Sequence, residues 1–166
     1  MVALTTIPRA LMPCSAMRDQ FEGEQVVLEN ALPFLLHGLY QRIRGVTYRE
    51  FHQHGLELTP EQWIVLVRLW QRDGRTVSEL SESTLRDKPT MSRILDSMEK
   101  SGLVTRSVDG KDARARIVEL TREGKSLRKK LVPIAKSIVL RLEAGVPEAD
   151  LLTTRRTLRR LFENLA

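Results

Sequence analysis

The chain has 166 residues, 42% hydrophobic and 29% charged, a balance that excludes a wholly disordered chain and a membrane-embedded one. No apolar run approaches the ~20 residues that span a bilayer, and the single cysteine, Cys14, excludes an intrachain disulfide and a multi-cysteine metal site. The formal net charge of +6, with a pI near 9.9, favours anionic partners, nucleic acid foremost.

Met1–Met17 is apolar in places but is interrupted by Pro8, Arg9 and Pro13. It lacks the basic start and continuous apolar stretch of a secretory signal, and it reads as a loose tail of a cytoplasmic protein. Val26–His54 then reads as mostly helical, with Leu28, Leu32, Leu35, Leu36, Leu39 and Ile43 at helical spacing. Pro33 should start, kink or delay this helix, and Gly45 weakens its middle. A second helix is marked by Thr59-Pro60-Glu61-Gln62, which sets a capping hydroxyl, a proline in the first turn and a glutamine able to reach back. Its expected apolar stripe is Trp63, Leu66, Val67 and Trp70, and Asp73-Gly74 stops it.

Thr76-Val77-Ser78-Glu79 is another capping box and opens a short third helix, with Val77, Leu80 and Leu85 as its expected buried side. Asp87 caps a fourth, in which Pro89 is tolerated because no first-turn amide bonds within a helix. There Met91, Ile94, Leu95 and Met98 point one way and Arg93, Asp96 and Lys100 the other, until Ser101-Gly102 ends it. Two short β signals follow, Leu103–Ser107 and Arg116–Leu120, the latter with Ile117 and Leu120 as its apolar positions, joined by a polar turn at Val108–Asp112. Thr121 caps a long fifth helix striped by Leu127, Leu131, Ile134, Ile138 and Leu142, with Pro133 expected to bend it. Gly145 closes that helix and Pro147 opens a last one, apolar at Leu151, Leu158, Leu161 and Leu165.

Helix, short helix, turn, helix and β-hairpin make a winged helix-turn-helix, so the fold class is mainly α with a small β-hairpin. Such a unit lays the second helix of its pair in the major groove of duplex DNA. The first turn of the fourth helix carries Lys88, Pro89, Thr90, Ser92 and Arg93. Arg93 is the candidate for a bidentate grip on a guanine edge, and Thr90 and Ser92 are placed for bases or phosphates. Asp96, one turn on, is expected to accept from a cytosine amine or to orient Arg93. In the hairpin, Lys111, Arg114 and Arg116 suit phosphates or a minor groove, whereas Asp109 and Asp112 would be repelled by phosphate. Asp112 is therefore expected to hold the Arg114 side chain.

Three collinear stretches resemble the multiple antibiotic resistance regulator (MarR) family: LTPEQWIVL at 58–66, DKPTMSRILDSMEKSGLV at 87–104 and DARARIVELTREG at 112–124. The resemblance runs from about Leu28 to the C-terminus. It implies a homodimer paired through the first, fifth and sixth helices, with Asp112 and Arg114 in the wing roles described above. The chain then divides into a tail (1–25), a dimerisation helix (26–56), a DNA-binding domain (57–121) and C-terminal dimerisation helices (122–166). It also implies a repressor of nearby genes, released by a small aromatic or anionic effector. The run LENALPFLL at 28–36 resembles the organic-peroxide-sensing branch, but Pro33 stands where that branch has its reactive thiol. Cys14, with Arg18 as its nearest cation, lacks the electropositive setting a reactive thiol needs, so redox sensing is not expected.

His37, Tyr40, Arg44 and Tyr48, with Trp63, combine aromatic walls and a cation and are the candidate effector-binding residues, although Trp63 and Trp70 also suit a core. His52 and His54 lie two apart, on different sides of a helix, so no metal site is expected. Arg155, Arg156, Arg159 and Arg160 read as a solvated helix face. No catalytic constellation or glycine-rich phosphate loop is present, so neither enzymatic activity nor a cofactor is expected. The competing expectation is a winged-helix module that docks an acidic protein, which would enrich no palindrome from random duplexes.

Overall fold

A computed structural model describes residues 21–22, 25–26, 28, 31–108 and 116–165. Cys14, most of the expected N-terminal tail, and Asp109, Lys111, Asp112 and Arg114 of the expected wing lie outside them. The chain divides into two compact units, Met1–Gly45 and Val46–Ala166.

In the first unit, β1 (Phe21–Glu22) pairs antiparallel with β2 (Gln25–Val26), ahead of α1 (Leu32–Gln53), which runs on into the second unit. The helix begins later than the apolar spacing from Val26 suggested. Pro33 falls in its first turn, where a missing amide costs no helical hydrogen bond. Leu32, Leu35, Leu36 and Leu39 of the expected stripe are exposed, as is Leu28.

The second unit is built around a core drawn from the end of α1, from the helices and strands between Leu58 and Leu120, and from the helix that follows Leu127. From the end of α1, Phe51 is fully buried and meets Trp63 edge-to-face, ring centroids 5.7 Å apart. Helix α2 (Pro60–Gln71) starts at the expected box: Gln62 N–H donates to the Thr59 hydroxyl at 3.2 Å, and Thr59 N–H donates to Gln62 Oε1 at 2.9 Å. Its buried face is Gln62, Val65, Leu66 and Leu69 rather than the expected Trp63, Leu66, Val67 and Trp70. The helix is apolar over so much of its circumference that spacing alone does not select the side facing the core.

Helix α3 (Val77–Ser83) has the same reciprocal cap between Thr76 and Glu79, and Leu80 is fully buried. Leu85 departs from expectation. It is 72% exposed and takes the left-handed conformation, φ 56°, in the turn before the next helix. Reversing the chain within so short a turn requires that backbone, and it swings the side chain outward. Helix α4 (Lys88–Lys100) buries Met91, Leu95 and Met98, with Ile94 packed partly against the core. Full burial of such a side chain contributes roughly 1.5–3 kcal/mol.

The hairpin strands β4 (Val104–Val108) and β5 (Arg116–Leu120) pair with Val104 opposite Leu120 and Arg106 opposite Val118. A third strand, β3 (Arg75–Thr76), adds to the other edge of β5, giving the order β3-β5-β4. Val118 and Leu120, two apart, are the buried positions of β5, and the expected inward Ile117 points to the opposite side of the pleat. The expected fifth helix is two, α5 (Arg122–Ser126) and α6 (Arg128–Glu143), separated at Leu127. Pro133 is accommodated inside α6, which buries Leu131, Ile134 and Ile138, but Leu142 is 44% exposed. Helix α7 (Glu148–Glu163) has no buried residue.

One junction ties these pieces together. Thr121, the cap of α5, accepts from Gly124 N–H at 3.1 Å and donates its hydroxyl to the Gly102 carbonyl at 2.6 Å. The Gly124 carbonyl accepts from Trp70 Nε1–H at 3.0 Å. A Cβ on Gly124 would lie 2.2 Å from the Leu103 carbonyl oxygen, itself bonded to Thr121 N–H at 3.1 Å. Neither backbone can yield without breaking these bonds. Gly124→Ala is therefore expected to destabilise the fold by about 1–3 kcal/mol. A urea midpoint equal to that of the unaltered protein would show that the junction relaxes freely.

Candidate nucleic-acid interface

The first turn of α4 is held by Asp87. Its Oδ1 accepts from Thr90 N–H and its Oδ2 from the Thr90 hydroxyl, both at 2.8 Å. These hydrogen bonds to Thr90 hold the Asp87 carboxyl below the usual aspartate range. They also commit the Thr90 proton, leaving its oxygen as an acceptor toward any ligand. Deeper in the helix, Ser97 Oγ accepts from Nε2 of the buried Gln62 at 3.2 Å, pegging α4 to α2.

With Met91, Leu95 and Met98 inward, Lys88, Pro89, Arg93, Asp96 and Lys100 are exposed, and Thr90 and Ser92 are half-buried. Arg93 makes no hydrogen bond or ion pair among the described residues, and its charge, after the hydrogen bonds to Thr90, helps to hold the Asp87 carboxyl low. Asp96 does not take the expected role of orienting Arg93: its Oδ1 lies 2.6 Å from Arg106 Nη2. The same nitrogen lies 2.5 Å from Glu99 Oε2, and Arg106 Nε donates to that oxygen at 3.0 Å. Arg106 thus covers both carboxylates of this flank from β4. Nothing in the sequence singled it out, because its partners are seven and ten positions away across a helix end and a turn. Arg116 is exposed at the start of β5, opposite Val108. Lys111, Asp112 and Arg114 fall between the two described ends of the hairpin.

A second feature lies away from this face. Between α2 and α6 runs a groove of about 550 Å³, walled by Trp63, Val67 and Trp70 on one side and Val132, Ala135 and Val139 on the other. Arg128 and Lys136 stand on its margin, and neither makes a hydrogen bond or ion pair among the described residues. The two indoles meet edge-to-face at 5.6 Å. Of the expected effector residues, Trp63 is in this wall. Tyr48 stacks on His52, with centroids 6.3 Å apart, and His37, Tyr40 and Arg44 belong to the first unit's part of α1.

The remaining candidates have local partners or none. His52 Nδ1 is 3.1 Å from Glu57, and His54 Nδ1 is 2.7 Å from the Glu50 carbonyl oxygen. Among the described residues, no group of three His, Cys, Asp or Glu is arranged to hold a metal, and no helix is long and apolar enough to cross a membrane. Arg155 pairs with Glu143 at 2.5 Å, while Arg156, Arg159 and Arg160 are exposed on α7.

Comparison with known proteins gives concordant findings. A model of the MarR family matches residues 58–115, the span from the cap of α2 into the hairpin. The chain is 32% identical over 152 residues to the organic hydroperoxide resistance transcriptional regulator of Bacillus subtilis, covering 90% of this chain and 97% of that one. A probable transcriptional regulator from Pseudomonas aeruginosa superposes with a TM-score of 0.72 at 28% identity, over 81% of this chain and 98% of that one. MepR of S. aureus, solved in complex with DNA, superposes with a TM-score of 0.73 at 23% identity, over 83% of this chain and 99% of that one, and shares the fold.

The Asp87 cap has a checkable acid signature. A carboxyl with a depressed folded-state pKa stabilises above its unfolded pKa and loses that contribution as pH falls through the folded value. Asp87→Ala should therefore lower the melting temperature at neutral pH, with the gap to the unaltered protein closing in acid below the usual aspartate range. Asp87→Asn, which keeps an accepting oxygen, should retain most of the stability. Melts that differ by the same amount at every pH would remove the cap from this account.

Proposed function

This chain belongs to the MarR family and is a DNA-binding transcriptional regulator, not an enzyme, and from that premise we propose that it represses nearby genes as a homodimer released by a small effector. The observation that carries the DNA-reading part is α4 itself. Three fully buried residues fix its inner face, a cap orders its first turn, and Lys88, Arg93 and Lys100 are left outward. Arg93 then grips base edges and Thr90, its proton held by Asp87, accepts from a base amine, while Lys88, Ser92, Pro89 and Arg116 position the helix on the duplex, with Lys111 and Arg114 extending the wing along phosphates or a minor groove. Asp112 holds Arg114.

A second copy of the chain is the occupant proposed for the apolar surface on the terminal helices. Leu140, Leu152 and Phe162 are exposed on α6 and α7, as are Leu35 and Leu39 on α1. Uncovered apolar surface on this scale marks an association face. A two-fold dimer presents two copies of α4 to half-sites about 10 base pairs apart. The hydroperoxide role in the name of the Bacillus subtilis relative is not carried over, because Pro33 occupies the position at which the resemblance placed a reactive thiol.

The groove between α2 and α6 suits an aromatic carboxylate: indoles and aliphatic carbons for the ring, Arg128 and Lys136 for the charge. It lies in the second unit, and His37, Tyr40 and Arg44 remain separate candidates on α1.

Two experiments test these readings. Selection from random duplexes is expected to enrich an inverted repeat. Arg93→Ala should then cost about 1–3 kcal/mol of discrimination per half-site, whereas Arg114→Ala should weaken all duplexes alike and flatten the salt dependence. Equal losses on selected and random DNA for Arg93→Ala would take base reading away from that residue. For the groove, salicylate is expected to quench indole fluorescence and weaken operator binding, and Arg128→Ala should raise the concentration required about tenfold. Quenching that survives Arg128→Ala unchanged would place the anion elsewhere.

A further inference from the structure

We propose that Arg106 is a positioning residue, one that sets the pitch of α4 relative to the sheet and so governs operator discrimination without touching DNA. The inference rests on the DNA-reading role given to α4 above. Its basis is a fork. Arg106 sits within β4, where pairing opposite Val118 anchors its backbone to the middle strand of the sheet. Its side chain, only 25% exposed, reaches Asp96 at 2.6 Å and Glu99 at 2.5 Å, two carboxylates nearly one turn apart on α4. A guanidinium is planar, and its donors diverge at fixed angles. Sliding α4 along its axis, or rolling it, lengthens at least one of the contacts, so the pair of bonds resists both motions. Met91, Leu95 and Met98 hold the helix down against the core. Apolar contact is non-directional and tolerates small rotations that a two-pronged ion pair does not.

The same contacts solve a charge problem. Asp96 and Glu99 are exposed on the helix that carries Arg93 and Lys100. Unneutralised, they would oppose approach of the helix to phosphates. Arg106 sets its single positive charge against these two carboxylates from behind and so lessens that opposition, which gives the fork two separable effects, one on overall affinity and one on discrimination.

Opposite changes of charge separate the two. Arg106→Gln removes the cation, and Glu99→Ala removes one prong of the fork while leaving Lys88, Arg93, Asp96 and Lys100 in place. Affinity would be measured for the selected operator and for a scrambled duplex of equal length, well below the melting temperature of each variant. Scrambled-duplex affinity should fall for Arg106→Gln and rise for Glu99→Ala, as net charge dictates. The operator-to-scrambled ratio should fall about fivefold in both. A ratio that falls only for Arg106→Gln would mean that Arg106 reads DNA itself, and a ratio unchanged in both would mean that the fork contributes stability alone; either result overturns the proposal. Should Arg106→Gln fail to fold, Arg106→Lys, which keeps the charge but loses the planar fork, should lower the ratio with little change in scrambled-duplex affinity. If the unaltered protein does not discriminate between the two duplexes, the DNA-reading role of α4 falls, and this inference with it. If it does discriminate and Glu99→Ala matches it, only this inference falls.

Discussion

Met91, Leu95 and Met98 have no exposed surface, and what the opposite side of α4 can do depends on that. A helix offered to DNA has to give up one face to the protein completely, because the free energy that holds it in place cannot come from the face it offers. Here the buried side rests on α2 and α3, whose own residues Val65, Leu66, Leu69 and Leu80 are as deeply enclosed. The polar side is then free to carry charge at little cost to stability. Interior packing and the Gln62–Ser97 hydrogen bond explain why the helix stays; the cap at Asp87 explains why its first turn is ordered.

Charge on this surface is managed, not merely accumulated. A net charge of +6 draws the chain toward polyanions in general, but α4 also carries acidic groups that would work against approach. Arg106 pairs with Asp96 and Glu99 from the sheet, and the exposed Asp87 spends both carboxylate oxygens on Thr90. The exposed cations of α4 are Lys88, Arg93 and Lys100, beside the exposed but ion-paired Asp96 and Glu99. The long-range field and the short-range contacts therefore agree in sign, which is a condition for both fast association and specific binding.

The second unit also has apolar surface its own fold does not cover. The groove between α2 and α6 is lined on α2 by Trp63, Val67 and Trp70, beside its buried face, and α6 and α7 carry further exposed apolar side chains. Trp70 belongs to both worlds: its indole N–H is spent on the Gly124 carbonyl at the junction under the hairpin, while its ring forms groove wall. The wall of the groove and the junction that joins the end of α4 to β5 and α5 thus share one side chain.

Local chemistry made much of this readable in advance. Thr59, Thr76, Asp87 and Thr121 each announced a helix start, and each accepts the predicted backbone hydrogen bond, because a cap is settled within four residues and needs no distant partner. The outward set on α4 was legible for the same reason, since a strongly two-sided helix has only one way to face a core. Other features depended on partners far along the chain. The two-residue strand β3 exists only because β5 lies beside it, and on β5 the expected Leu120 is buried while Val118 takes the inward place expected of Ile117. Helix α2 is apolar nearly all round, so only the arrival of Phe51, Leu80 and α4 decided that Val65 and Leu69 go in and that Trp63, Val67 and Trp70 line a groove. Arg106 met Asp96 and Glu99 because a helix end and a tight turn folded the strand back, a geometry that residue spacing does not encode. The sequence by itself determined the helix starts and which side chains stand outward on α4; tertiary structure decided which apolar faces are spent on the core and which charges are paired, because both are settled by contacts between segments and not within them.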